Sequence, residues 1–252
     1  MPQYNFRVPR VYIDAPLAAG QSVSFDRGQA NYLANVLRLK EGDALLLFNG
    51  RNGEWQAHLA ETGKRTLTAA VGVRQRTQPP ASDLHFLFAP LKRARLDYLV
   101  QRAVEMGASR LYPVLTRYTQ VARVNLERMR ANVIEAAEQC GILALAEVAE
   151  PAAFPGAIAA VDAGRLLVFC DEAAEVQDPV AALVAVRRAD APLAVLIGPE
   201  GGFAAEERAT LLNRPNVVRI ALGPRILRAD TAAVAALALV QAVLGDWGGK
   251  TP

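Results

Sequence analysis

The sequence is poor in the residues that carry much enzyme chemistry. It has two cysteines and two histidines. Cys140 and Cys170 are far apart and lack neighbours at ligand spacing, so neither a disulfide framework nor a metal site is expected. His58 and His85 both sit inside apolar, strand-like runs, where structural roles are the expectation. G-x-G-x-x-G, G-x-x-x-x-G-K-[ST] and G-x-S-x-G are all missing, which removes the usual dinucleotide, nucleoside-triphosphate and nucleophile-elbow chemistries. No apolar run reaches the roughly 20 residues of a membrane helix. The longest, 232–244, is Ala-rich and suits a buried helix. Met1-Pro-Gln-Tyr-Asn-Phe-Arg7 carries no basic-then-apolar export segment, so a reducing cytoplasm is the expected location.

Lysine is scarce as well: 24 of the 28 cationic residues are arginine. Arginine forks onto phosphate and stacks on bases, which suits a nucleic-acid surface. A GC-rich coding bias fits the many Ala, Arg and Pro residues equally well. The net charge of +3 is uneven. Residues 1–78 hold 10 Lys and Arg against 6 Asp and Glu, whereas the remainder holds 18 against 19.

Residues 1–76 read as short strands (8–13, 44–48, 55–59, 67–73) with Asn-Gly turns at 49–50 and 52–53 and one helix over 28–37. This pattern predicts a small β-barrel. Residues 77–82, Thr-Gln-Pro-Pro-Ala-Ser, read as a linker. From 83 to 252 the rhythm becomes strand–helix alternation, with strands at 84–89, 111–115, 166–170, 193–197 and 217–221. Helices are predicted at 94–106, 126–139, 180–187, 205–212 and 231–244. Continuous apolar strands between helices predict a mostly parallel sheet covered on both faces.

Two Gly-Pro loops follow consecutive strands of that domain: Ile197-Gly-Pro-Glu-Gly-Gly-Phe203 and Leu222-Gly-Pro-Arg-Ile-Leu-Arg228. Ligands of α/β proteins sit at the carboxyl ends of strands. Gly198, Gly201 and Gly202 let backbone approach a flat ligand. Leu222, Ile226 and Leu227 are placed to cover the faces of an adenine, with Glu200 and Arg228 at the loop tips. Either loop alone reads as an ordinary βα turn; their pairing favours a site.

The two loops resemble those of the knotted (SPOUT) S-adenosylmethionine-dependent RNA methyltransferases. Within that class the chain resembles the bacterial family that methylates N3 of a uridine in small-subunit (16S) ribosomal RNA. Arg7-Val-Pro-Arg10, Val36-Leu-Arg38 and Gly42-Asp43 look like its PUA-like RNA-binding barrel. Lys92-Arg-Ala-Arg95, Gln101-Arg102, Glu105-Met-Gly107 and Glu138-Gln-Cys140 look like further family motifs. The chain departs from the pattern in three places. Gly141-Ile-Leu-Ala144 replaces an expected basic residue, Ala204 stands where Ser or Thr caps the following helix, and Asp230 replaces Glu.

The resemblance implies a trefoil-knotted α/β domain behind a PUA-like barrel, acting as a homodimer on 16S rRNA or the small subunit, with no metal and no membrane. It implies an S-adenosylmethionine pocket built from Leu196, Gly198, Glu200, Gly201, Gly202, Leu222, Gly223, Ile226, Leu227, Arg228 and Thr231. Arg228 is then the expected stabiliser of charge on the uracil, unless it is tied to Asp230 or Glu200, and Glu200 is a base or orienting group. Arg7, Arg10, Arg38, Lys92, Arg93 and Arg95 are the expected RNA contacts. Two other readings stay open: a knotted enzyme acting on another base or a ribose, and a non-catalytic ribosome-assembly factor.

Overall fold

The computed structural model describes residues 8–62, 66–121, 123–174, 178–188 and 191–248. The expected RNA contact Arg7 lies outside the described residues. The chain divides into two compact units. The first comprises residues 1–81 together with 137–145, and the second comprises 82–136 with 146–252.

The first unit is a curled five-stranded sheet in the order β1-β3-β4-β5-β2. Its strands are β1 (Arg10–Tyr12), β2 (Ser22–Ser24), β3 (Ala44–Phe48), β4 (Glu54–Thr62) and β5 (Thr66–Arg76). β1 runs parallel to β3 and the other pairs are antiparallel. Alternation of apolar and polar residues puts Val11, Val23, Leu45, Leu47, Leu59 and Val71 into one core with Leu33 of the intervening helical segment. That segment is α1 (Arg27–Asn31) followed by a wide helical turn over residues 32–36. The Ser-Val-Ser strand β2 was not among the expected strands, because three residues are too short to show a period. Glu138, in the Glu-Gln-Cys motif, accepts the Tyr12 N–H on Oε1 at 2.8 Å. Gly141 C=O accepts from Arg76 Nη2 at 2.9 Å.

In the second unit the sheet order is β12-β10-β11-β6-β7-β8. The strands are β6 (Leu84–Phe88), β7 (Arg110–Leu115), β8 (Glu147–Val148), β9 (Ala152–Ala153), β10 (Leu166–Cys170), β11 (Leu193–Ile197) and β12 (Val217–Ile220). Every pairing in it is parallel, and β9 pairs with β7 off the main path. All five residues of β11 are buried, as a strand covered on both faces requires. The helices are α2 (Arg93–Glu105), α3 (Leu126–Cys140), α4 (Phe154–Ala159), α5 (Pro179–Ala185), α6 (Ala205–Leu212) and α7 (Ala229–Val243).

On α2 the spacing of Leu96, Leu99, Val100, Ala103 and Val104 makes one buried stripe. Short α4 was not expected, since Pro155 and Gly156 make it read as loop; Phe154, Ala157 and Ile158 anchor it in the core. β11 inserts between β6 and β10, the chain then crosses to the edge at β12, and α7 returns to pack on α2, α5 and β11. Among the described residues no helix is long and apolar enough to cross a membrane.

Candidate active site

Strand register places the functional loops together. Ile197 of β11 pairs with Cys170 of β10 on one side and Phe88 of β6 on the other, and Cys170 also pairs with Ile220 of β12. The segments that follow β6, β7, β10, β11 and β12 therefore leave one edge of the sheet. This is the carboxyl edge, where a reversal of strand order opens a crevice.

The first loop is held tight. Gly202 N–H donates to Pro199 C=O at 2.9 Å, which leaves Glu200 at the tip with its side chain 49 % exposed. A Cβ on Gly198 would run into the Phe203 ring, which is itself buried against Phe154 and Phe169. Gly202 has φ +70°, and a Cβ there would stand 2.8 Å from Glu172 Oε1. Both positions require glycine for that reason.

Arg95 joins this loop to the first turn of α7, the helix that the second loop enters. Its Nε and Nη2 fork onto Asp230 Oδ2 and Oδ1 at 2.9 and 3.0 Å, and its Nη1 meets Glu200 Oε1. Hydrogen bonding to Arg95 holds the Asp230 carboxyl below the usual carboxylate range, and the guanidinium's own pKa is raised by Asp230 and then Glu200. An arginine expected to grip RNA thus has its guanidinium on two carboxylates. Lys92 and Arg93, its neighbours, are exposed.

Arg228 is exposed and contributes the backbone cap of α7, its C=O accepting the Ala232 N–H at 2.8 Å. Among the described residues no hydrogen bond or ion pair holds its guanidinium. The carboxylates that offered it a structural partner, Asp230 and Glu200, are engaged by Arg95.

Sequence reasoning missed a second polar node at the same edge. Asp171, its side chain fully buried, accepts from Arg208 Nε of α6 and Arg219 Nε of β12, both at 2.9 Å. Burial alone would raise its pKa, but hydrogen bonds from Arg208, the Ala173 N–H and Arg219 outweigh burial and lower it. The node ties α6, which follows the first loop, to β12, which precedes the second. An acid ending an apolar strand was the available signal. Next to it, burial and then the Asp171 charge push the Cys170 thiol up to about 12, so it holds no thiolate for nucleophilic attack.

The other expected site residues differ in exposure. Leu196 is fully buried in the core, so its side chain offers a cofactor no surface. Ile226, expected over one face of an adenine, is 97 % exposed. Leu222 and Leu227 are half-buried, Gly223 has φ +90° with open space around it, and Thr231 is exposed in the first turn of α7. Arg10 is not on a solvent-facing surface. Its side chain is 5 % exposed, with Nε on Glu54 Oε1 at 2.6 Å, and Arg76 occupies the other carboxylate oxygen at 2.8 Å. The Glu54 pKa is lowered, because the Arg76 and Arg10 hydrogen bonds overcome its burial.

Ala204, the N-cap of α6, has extended backbone (φ −64°, ψ 157°) and no side-chain oxygen to offer. Half a capping box survives: Glu207 Oε2 accepts the Ala204 N–H at 3.0 Å, while Oε1 accepts the Arg117 N–H at 2.8 Å. Ala204→Ser supplies the missing acceptor for the first turn. It is expected to add about 0.5–2 kcal/mol, a rise of a few degrees in a thermal melt; an unchanged or lower midpoint would show that the buried Cβ site has no room for a hydroxyl.

Fold and edge together define an α/β ligand-binding unit joined to a small β unit, and comparison with known proteins gives the class. Residues 77–241 match the family model of the RNA methyltransferase domain, and residues 25–71 that of the RNA methyltransferase PUA domain. The chain belongs to the ribosomal RNA small subunit methyltransferase E family. It is 31 % identical to the Rickettsia conorii protein of that name, over 92 % of this chain and 94 % of the relative. The Synechocystis relative is 29 % identical over 88 % of this chain and 74 % of its own length. A crystal structure of the Neisseria gonorrhoeae ribosomal RNA small subunit methyltransferase E, bound to S-adenosyl methionine, superposes with a TM-score of 0.82. It is 26 % identical to this chain and covers 95 % of it, with 99 % of its own length matched.

Proposed function

We propose that this protein transfers the methyl group of S-adenosylmethionine to N3 of a uridine in small-subunit (16S) ribosomal RNA, in the cytoplasm and as a homodimer. In this reading residues 1–76 are the RNA-binding domain, 77–82 a linker and 83–252 the methyltransferase domain. The observation that carries it is the convergence of two Gly-Pro loops on one sheet edge, joined by Arg95 and flanked by the uncommitted guanidinium of Arg228. The names of the relatives and the bound cofactor of the Neisseria structure point the same way.

The residues present fit the cofactor. Gly223 has open space around it, Gly198, Gly201 and Gly202 add no side chain of their own to the first loop, and Leu222, Leu227 and Thr231 belong to the second loop and the helix it enters. When bound, S-adenosylmethionine supplies an activated methyl carbon, so the protein needs no covalent nucleophile. Its own task is positioning. Glu200, oriented by Arg95, is placed to align the acceptor base. Arg228 is placed to hold the negative charge that spreads onto uracil O2 and O4 as the N3 proton leaves.

Arg38, Lys92 and Arg93, with Arg7, are the proposed phosphate contacts, while Arg10 and Arg95 each bind carboxylates within their own unit. Arg38 (φ 56°) and Arg93 (φ 31°) are two of three non-glycine residues in the left-handed region among those described. Arginine kept at a position that favours glycine supports a functional use. Exposed Val180 and Val184 on α5 give a homodimer apolar surface to cover.

The test is nucleoside mass spectrometry of small-subunit rRNA from a deletion strain with and without this protein restored. N3-methyluridine lost on deletion and regained on restoration is the expected result. Loss of a ribose-methylated nucleoside or of another modified base instead would overturn the N3 assignment. Unchanged rRNA modification, with no calorimetric uptake of S-adenosylhomocysteine by the protein, would overturn the enzymatic reading.

A further inference from the structure

Beside the Arg95 bridge, against the first Gly-Pro loop, lies a cavity of about 100 Å³. Its walls come from the segments after β6, β7 and β11: Leu91 and Lys92, Tyr118 and Gln120, and Pro199 and Glu200. Tyr118 is a large aromatic residue left 47 % exposed in this loop. It is not stranded there by loose packing. A Cβ on Gly201 would stand 3.3 Å from Tyr118 Cβ, so the first Gly-Pro loop lies directly against the tyrosine's base. The loop that carries Tyr118 is also pinned at both of its neighbours. Thr116 N–H donates to Thr119 Oγ1 at 2.9 Å, and Arg117 N–H donates to Glu207 at 2.8 Å.

Size decides what fits. Clefts that enclose a drug-sized ligand measure roughly 300–1,000 Å³. This cavity is well below that, so a single flat ring fits where an entire adenosyl cofactor does not. Chemistry narrows it further. One wall is an exposed aromatic side chain, the rim carries a cation at Lys92 and an amide at Gln120, and Glu200 stands at the mouth. An aromatic face with amide and cationic groups around it is how proteins hold an unstacked nucleobase.

We propose that this cavity receives the acceptor base itself, flipped out of its RNA strand, with Tyr118 as its stacking wall. Gln120 meets the edge of the base, Lys92 at the rim holds a neighbouring phosphate, and the Arg95–Glu200 contact stands at the mouth beside the methyl donor. Tyr118 is then a substrate-binding residue for the proposed reaction, and this inference rests on the methyltransferase reading above. Extruding a base costs unstacking energy, and an aromatic wall that restacks it offsets that cost.

The experiment compares full-length wild type, Tyr118→Ala and Tyr118→Phe. Methyl transfer is measured to small ribosomal subunits, and to naked small-subunit rRNA, from the deletion strain. Cofactor affinity is measured by calorimetry with S-adenosylhomocysteine. Tyr118→Ala is expected to lower kcat/KM about 5- to 150-fold, the range for removing one base–aromatic stack, while S-adenosylhomocysteine affinity stays within twofold. Tyr118→Phe, which keeps the ring, is expected to recover the rate to within about threefold. An active wild type with a Tyr118→Ala rate within twofold of it overturns the proposal. So does a Tyr118→Phe variant as slow as Tyr118→Ala, or loss of S-adenosylhomocysteine binding in Tyr118→Ala, which would assign the tyrosine to the donor side. A wild type inactive on both substrates is a different failure: it removes the methyltransferase reading on which the cavity's assignment stands.

Discussion

Arg95→Ala is expected to cut kcat by at least about 100-fold while leaving the salt dependence of RNA binding unchanged. Arg95 forks onto Asp230, in the first turn of α7, and also reaches Glu200, at the tip of the loop after β11. Removing it leaves two carboxylates facing a gap with no cation between them, and the two loops lose their common tie. Glu200 and Asp230 are 49 % and 17 % exposed at the side chain, so water screens part of the loss in stability. Catalysis is less forgiving, since a misplacement of about 1 Å at a positioned site costs on the order of 100-fold. Lysine should not rescue, because a single ammonium cannot fork onto one acid and reach a second.

Lys92→Ala with Arg93→Ala should show the opposite signature. KM for RNA rises, and the slope of log affinity against log salt falls by about 0.7–0.9 for each phosphate that is no longer neutralised. The acid limb of stability separates the roles further. Asp230 has its folded-state pKa depressed by Arg95, so the pair stabilises the protein above the ordinary aspartate pKa and loses that contribution as pH falls through the depressed value. In Arg95→Ala that contribution should be missing at neutral pH, and the melting temperature should fall less on acidification than in wild type. Equal salt slopes in the two variants, or a normal kcat in Arg95→Ala, would return Arg95 to the RNA surface.

The parallel sheet was legible because its strands are short, continuous apolar runs between amphipathic helices. β6, β10, β11 and β12 fall within a residue of where composition alone places them. What could not be read was partner choice. Lys92, Arg93 and Arg95 look alike in sequence, but of the three only Arg95 is half-buried, where α7 brings Asp230 to it across 135 residues of chain. Arg10 looked like a basic patch with Arg7, but period-2 alternation along β1 says nothing about Glu54 arriving from β4. The Gly-Pro loops announced a site, yet periodicity gave no sign that Ile226 points to solvent. Tyr118 carries no sequence signal, because one aromatic residue in a polar loop has no pattern to stand out from. These facts depend on residues that meet from distant parts of the chain, which local propensity does not encode.

Arg228→Ala isolates the chemistry from the scaffold. The side chain is exposed and makes no ion pair among the described residues, while the backbone cap it supplies to α7 survives the substitution. Stability should therefore stay within about 0.5 kcal/mol of wild type. If Arg228 holds the charge that develops on uracil O2 and O4, its loss should lower kcat by about 100- to 1,000-fold, the usual effect of deleting one preorganised donor. Affinity for S-adenosylhomocysteine, which carries no developing charge, should change little. Arg228→Lys should fall between the two, since it keeps the charge but cannot present two parallel N–H groups. The split between kcat and cofactor affinity is what decides. A weakened S-adenosylhomocysteine affinity with an unchanged kcat would make Arg228 a wall of the donor pocket. Near wild-type turnover with intact affinity would leave Glu200 as the sole charged group of this site in contact with the base, and the charge on the uracil would need another holder.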